Sequence, residues 1–318
     1  APQILTRLNE IAGTLSKERK YYRIASSILI YTVLGRAMTL SLLAELWGSI
    51  VYESRFRRDE ALRQLISFDR DRVRMRSSVA AEYILKDIVD PNLTVDVLIE
   101  MARTADKLAP INRVYADLRT ELMRFRNLNI LLPEQGRRAT IIRYYESIKA
   151  LQGSGQHPLF WLQYAIACVT IDEYDRAERY FQTSYALGQA RNHWDLYQTN
   201  NHYARFLLKK AIFSSDASNC MASFRKARAI INNQIATERR HFPYRVAILY
   251  ADFYTAFAAS LGDKEREEIS KAATHVLNRI NQLPEDVLKN RYVRECRETL
   301  SILVTMEQTG SELDSDSN

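Results

Sequence analysis

The stretch HPLFWLQYAIACVTIDEYDRAERYFQTSYALGQA, residues 157–190, decides how the chain is read. Pro158 opens an apolar run in which Trp161 and Ala165 stand four residues apart. A polar break at 171–175 interrupts it, and Ala177, Phe181 and Ser184 then recur every three or four residues. That spacing on both sides of a break predicts two amphipathic helices joined by a short turn. Ala165 and Ala177 carry so little bulk that the helices can approach closely. Trp161, Tyr174 and Phe181 are then placed to fill the groove beside the pair.

The unit is 34 residues long. Its order of early aromatic, small residue, aromatic at the turn, small, aromatic, small is similar to a tetratricopeptide repeat; Cys168 stands where a second aromatic is usual. Further pairs follow. Residues 194–212 and 220–236 form one, with Phe224 and Ala227 repeating the spacing of Phe181 and Ser184. Residues 243–263 and 264–283 form another, and 285–307 cap the end. The segment 308–318 is polar and acidic and reads as a disordered tail. An array over 157–307 presents a face lined by its first helices, so Tyr164, Gln198, Asn201, His202, Arg205 and Arg245 are candidate partner-binding residues. For the run from Asn200 to His202 the alternative is hydrogen bonding between helices, because buried amides need local partners.

Composition agrees with helices. Glycine and proline number only nine and seven in 318 residues, too few for the many tight turns of a sandwich or a doubly wound sheet. The fold class expected is all-α with one small β-hairpin. Cys168, Cys220 and Cys296 stand far apart with no CxxC pair. They suggest neither zinc nor redox chemistry, suit a reducing cytosol, and read as small buried hydrophobes. No GxxxxGK[ST], GxGxxG, HExxH or GxSxG motif occurs, and the five histidines sit apart from one another and from cysteine at ligand spacings. An enzyme is therefore not expected, nor a metal or cofactor in this chain. The run 24–34 is apolar but too short to span a bilayer, and no secretory signal opens the chain, so a cytoplasmic location without membrane contact is expected. The formal net charge of +7 permits a nucleic-acid or acidic partner without requiring one.

Before residue 91 the pattern differs. Residues 17–34 read as a helix with an apolar stripe at Tyr22, Ala25, Ile28, Leu29 and Val33, ended by Gly35. Residues 39–48 read as a short helix capped by Thr39 and stopped by Gly48, and 57–67 as a third with Asp59 as cap. Around Asp69-Arg70-Asp71 the period becomes two. Val73 and Met75 alternate with Arg72, Arg74 and Arg76, which predicts a β-hairpin over 65–76. A helix over 77–89 follows, capped by Ser77 or Ser78. After Pro91 helices at 92–108, 111–132 and 137–152 lead to a loop at 153–158.

Three short helices, a hairpin and another helix make the layout of a winged helix. The order of TLSLLAELWG (39–48), ALRQLISFDRDRVRMRSSVAAEYIL (61–85) and a helical array resembles the winged-helix segment of STAND-type NTPases, large signalling ATPases akin to NLR receptors, many of them in bacterial anti-phage defence. The resemblance covers residues 21–91, and the phrases HPLFWLQYAIA and YQTNNHYARFLL are similar to the helical C-terminal regions of such proteins. It implies a helical connector at 1–20, a winged-helix-like module at 21–90, helical linker pairs at 91–156 and a tetratricopeptide-like superhelix at 157–307. It also implies that ATP and Mg belong to an upstream domain. The partner would be a protein trigger or the protein's own upstream domains, with self-assembly into a homo-oligomer. The family often has an Arg-His pair after the second hairpin strand, where this chain has Arg76 and Ser77.

A winged helix can also read DNA through its second helix and wing. Residues 53–76 hold eight arginines against five acids, and Arg72, Arg74 and Arg76 fall on one face of the hairpin. The interleaved acids predict instead that these arginines, with Ser77 beside them, pair with Asp69, Asp71 and neighbouring acids or pack on a missing domain. A transcription regulator and a plain tetratricopeptide scaffold are the alternative functions.

Overall fold

Helix α1 (Arg19–Val33) carries apolar residues on almost every face, and that places it at the centre of its surroundings. The computed structural model describes residues 19–214, 219–237 and 240–315, together with residues 6, 9, 10 and 13. The connector read at 1–20 lies largely outside the described residues. The fold is 78% helix with a small three-stranded antiparallel sheet. It divides into two compact units, Ala1–Leu187 and Gly188–Asn318.

In the first unit, Ile24, Ile28 and Ile30 of α1 are wholly buried, as are Ser26 and Ser27. The stripe expected from the sequence was too narrow: Tyr22 and Val33 are only half-buried, whereas Tyr21 and Tyr31 are buried. Gly35, at φ 73°, turns the chain out of the helix as the left-handed closing residue does at many helix ends. Strand β1 (Met38–Thr39) leads into α2 (Leu40–Trp47), whose first turn is capped when Thr39 Oγ1 accepts the Leu42 N–H. After Gly48 and a 3₁₀ turn (Ser49–Tyr52), the single helix expected at 57–67 is two short ones, α3 (Ser54–Arg58) and α4 (Glu60–Leu65). Asp59 caps α4 through the Leu62 N–H.

The expected hairpin is present. Strands β2 (Ile66–Asp69) and β3 (Arg72–Met75) pair antiparallel with Phe68 opposite Val73, and Arg70 takes the left-handed turn position at φ 53°. β1 adds to the free edge of β3, giving the order β1-β3-β2. Along β3, Val73 and Met75 are buried while Arg72 and Arg74 are exposed. The sheet is tied to α1 by one side chain: Thr32 Oγ1 accepts the Met75 N–H at 2.9 Å.

Ser77 caps α5 (Ser78–Tyr83) by accepting the Ala80 N–H, and a π-helical turn (Ile84–Ile88) carries the chain to Asp90 and Pro91, which open α6 (Pro91–Leu108). Next come α7 (Arg113–Met123), α8 (Phe125–Leu131), α9 (Arg137–Lys149), the short α10 (Gln152–Gly155), α11 (Pro158–Thr170) and α12 (Tyr174–Gln189).

One helix was expected over 111–132, but it breaks at Arg124, which takes an extended backbone (φ −69°, ψ 117°) with neither proline nor glycine nearby. Distant side chains satisfy the freed groups. Tyr144 OH donates to the Leu122 carbonyl, Tyr145 OH donates to the Met123 carbonyl, and Gln163 Oε1 accepts the Phe125 N–H at 3.0 Å. Gln163→Leu strands that amide in a buried setting and is expected to cost about 1–3 kcal/mol, read from the urea midpoint.

The second unit pairs α13 (Tyr197–Ser214) with α14 (Cys220–Thr237), then places α15 (Phe242–Ala247), α16 (Leu249–Phe257), α17 (Asp263–Ile280), α18 (Glu285–Leu288) and α19 (Arg291–Ser315) around them. Phe224 lies between Tyr250 at 5.0 Å and Phe253 at 5.1 Å, and Phe253 meets Phe257 at 4.9 Å. Arg225 and Arg228 both reach Glu268, joining α14 to α17. Helix α19 runs as far as Ser315: a helix already nucleated extends at little cost per residue. Residues 316–318 lie outside the described residues.

Candidate partner-binding surfaces

The hairpin of α11 and α12 packs as its small residues require. Ala165, Ala177, Phe181 and Ser184 have no exposed surface, and Ser184 Oγ donates to the Pro158 carbonyl, holding the open ends together. Trp161 is only half-buried. Its indole N–H donates to the Gly155 carbonyl at 2.7 Å, and the fully buried side chain beside it is Phe160. Tyr174 is half-buried at the turn.

Tyr164 does not lie on an open face. It is wholly buried, stacked on Tyr145 at 4.6 Å and on Tyr180 at 4.4 Å, and its hydroxyl donates to Glu146 at 2.7 Å. Burial pushes the Glu146 carboxyl up. Hydrogen bonds from Lys149, Tyr164 and Tyr180 outweigh that and hold it below the usual value. Tyr164 was expected outward as an amphipathic residue on a first helix of the array. The ring instead completes a three-tyrosine stack that a periodicity count does not anticipate.

Around the sheet, all eight arginines of residues 53–76 are exposed: Arg55, Arg57, Arg58, Arg63, Arg70, Arg72, Arg74 and Arg76. The ion pairs expected with Asp69 and Asp71 do not form. Among the described residues Arg72, Arg74 and Arg76 have no carboxylate partner, and Arg76 donates to the Arg63 carbonyl at 3.4 Å. Asp69 stands opposite Arg72 in the hairpin register, but both are exposed and solvated, where an ion pair gains little; Asp59 is spent on its helix cap. Ser77 is likewise spent on a cap.

In the second unit, Asn201 is buried. Its amide donates to the Tyr197 carbonyl at 2.8 Å and to Gln234 Oε1 at 2.6 Å, so it joins α13 to α14 and is withdrawn from any partner face. Gln198, His202 and Arg205 lie four and three residues apart on α13 and so share one face; Gln198 is exposed and the other two are partly buried. Arg245 of α15 is exposed, and its guanidinium lies 4.8 Å over Tyr292 and 5.6 Å from Phe242. The His202 ring is 5.8 Å from Phe242. Burial, then Arg205 and Arg245, lower the His202 imidazole to about 4. Burial, then Arg245, lowers Arg205 below the ordinary arginine value. Phe224 and Ala227 are wholly buried and serve packing alone.

Elsewhere charges neutralise one another. A cleft of about 580 Å³ in the first unit, lined by Arg23, Trp47, Asp96, Glu100, Arg103 and Arg143, has Arg143 on Asp96 and Arg103 on Glu100. The three cysteines are buried thiols outside any disulfide, and burial raises Cys168 and Cys296 to about 12, which makes them poor nucleophiles. Among the described residues no three His, Cys, Asp or Glu side chains gather as a metal site would need, and no helix is long and apolar enough to cross a membrane. No family model, curated protein or solved structure matches the chain.

Proposed function

We propose that this chain is the non-catalytic regulatory and sensor region of a STAND-type NTPase of bacterial anti-phage defence, acting in the cytoplasm. The observation that carries the reading is the element order α1-β1-α2-α3-α4-β2-β3 with sheet order β1-β3-β2: a helical module closed by a hairpin wing, followed by antiparallel helical pairs. That order supports reading the chain as a winged-helix-like module followed by a tetratricopeptide-like region. In this reading ATP and Mg are handled by an upstream domain. The helical pairs bind a trigger protein or the upstream domains, release of that contact lifts autoinhibition, and the whole protein assembles with copies of itself. The test is to immunoprecipitate the native polypeptide with an antibody against this region and assay ATP hydrolysis. Activity in the precipitate, absent from the recombinant chain alone, supports the reading; no hydrolysis under any trigger opposes it.

A second reading, a winged-helix module that grips duplex DNA, is favoured by the unpaired Arg72, Arg74 and Arg76 beside the exposed Arg63 and Arg70. If it holds, the chain binds a mixed-sequence duplex with a steep salt dependence. The triple variant Arg72→Ala, Arg74→Ala, Arg76→Ala then lowers the log–log salt slope by roughly 3, because each arginine removed leaves one phosphate with its counterion still condensed. A slope unchanged in the triple variant removes this reading.

A further inference from the structure

The chain sets two guanidinium groups and a histidine against one another with no acid between them. Arg205 is partly buried on α13, one turn beyond His202, and Arg245 approaches from α15. Among the described residues none of the three side chains has a hydrogen bond or ion pair. The only groups that act electrostatically on His202 and Arg205 are cations. Like charges held together and partly desolvated are costly in a free protein. Folded chains elsewhere place a carboxylate at such points, as this one does where Glu268 sits between Arg225 and Arg228.

Geometry adds that the cluster is organised in advance. The Arg245 guanidinium lies 4.8 Å from the Tyr292 ring centre and 5.6 Å from that of Phe242, within cation–π range of both, and its N–H groups have no hydrogen-bond partner among the described residues. His202 is positioned by the same Phe242 ring. Gln198 adds an exposed amide one turn before His202 on the same face. His202 and Arg205 share one face of α13, and the Phe242 ring meets both His202 and Arg245, so the donors there, two of them forked, suit the two oxygens of a carboxylate. Two arginines suit one anchoring anion and not a nucleic-acid backbone, which needs a succession of contacts.

We propose that Arg205, Arg245 and His202 form a docking site for an acidic peptide segment of a partner protein, a Glu or Asp carboxylate entering between the two guanidinium groups. The proposal gives the chemistry of the trigger-binding surface proposed above but does not depend on it. Peptide binding by this chain and ATP hydrolysis by the native polypeptide succeed or fail separately.

The probe is a fluorescein-labelled Glu-rich peptide, with its Gln counterpart and a short DNA duplex as controls, measured by anisotropy on the full chain. The Glu peptide is expected to bind, to weaken as salt rises, and to lose about tenfold or more in affinity in Arg205→Met and in Arg245→Gln. The variant Arg74→Ala is expected to bind as the parent does. Arg205→Met keeps the aliphatic stem and removes an unneutralised charge, so its melting temperature without peptide is expected to rise. Added Glu peptide is expected to raise the His202 pKa, followed by the imidazole proton resonances. Equal binding of the Gln peptide, preference for the duplex, undiminished binding by a folded Arg205→Met, or a lowered melting temperature in that variant would each overturn the proposal.

Discussion

Phe181→Ala is expected to destabilise the first unit by about 3–5 kcal/mol, the cost of emptying a wholly buried aromatic site. The cavity would open where α11 and α12 cross, beside Ala165 and Ala177, and those alanines are too small to close it. Trp161→Ala should cost less, roughly 2 kcal/mol, although tryptophan is the larger residue, because Trp161 is half-buried and loses one hydrogen bond to the Gly155 carbonyl. Urea unfolding of both variants checks the ranking. A Trp161 variant weaker than the Phe181 variant would contradict the packing described for this hairpin.

The second large effect is on pH. His202 titrates near 4 in the folded chain against 6.5 for the free side chain. As pH falls, the unfolded chain takes up this proton first. The stabilisation is therefore fully present above about pH 6.5 and is lost progressively as pH falls towards about 4. Between those limits the parent chain is expected to lose about 2–3 kcal/mol more than His202→Gln, whose amide does not titrate. The measurement is the urea midpoint of both proteins at matched pH values. Parallel curves would mean that the imidazole takes its proton as easily in the folded chain as outside it, and that Arg205 and Arg245 do not bear on it.

The sequence made the helices, most of their caps and the hairpin legible because each is written locally. Thr39, Asp59 and Ser77 cap as expected, and the alternation of Val73 and Met75 with arginines sets which face of β3 is buried. What it hid depends on distant partners. β1 is two residues long and exists only because β3 offers it an edge. The break at Arg124 has no local signature; Tyr144, Tyr145 and Gln163 stabilise it from 20 to 40 residues away in sequence, by roughly one hydrogen bond each.

The candidate residues divided for the same reason. Periodicity placed Gln198, His202 and Arg205 on one helix face. It had no means of telling that Asn201, one position away, would turn inward to Gln234, or that Tyr164 would be enclosed by Tyr145 and Tyr180. Whether an arginine is neutralised is settled only in three dimensions. Residues 53–76 mix arginines with acids in sequence, and the hairpin even sets Asp69 opposite Arg72, yet in this solvent-exposed setting no ion pair ties Arg72 or Arg74 to an acid among the described residues.

The claim that this chain serves a larger ATPase is tested most directly by the mass of the intact endogenous polypeptide that carries it, detected with an antibody raised against residues 157–307. The account predicts a mass several times the 36.9 kDa of this chain. A native polypeptide of 36.9 kDa would contradict it.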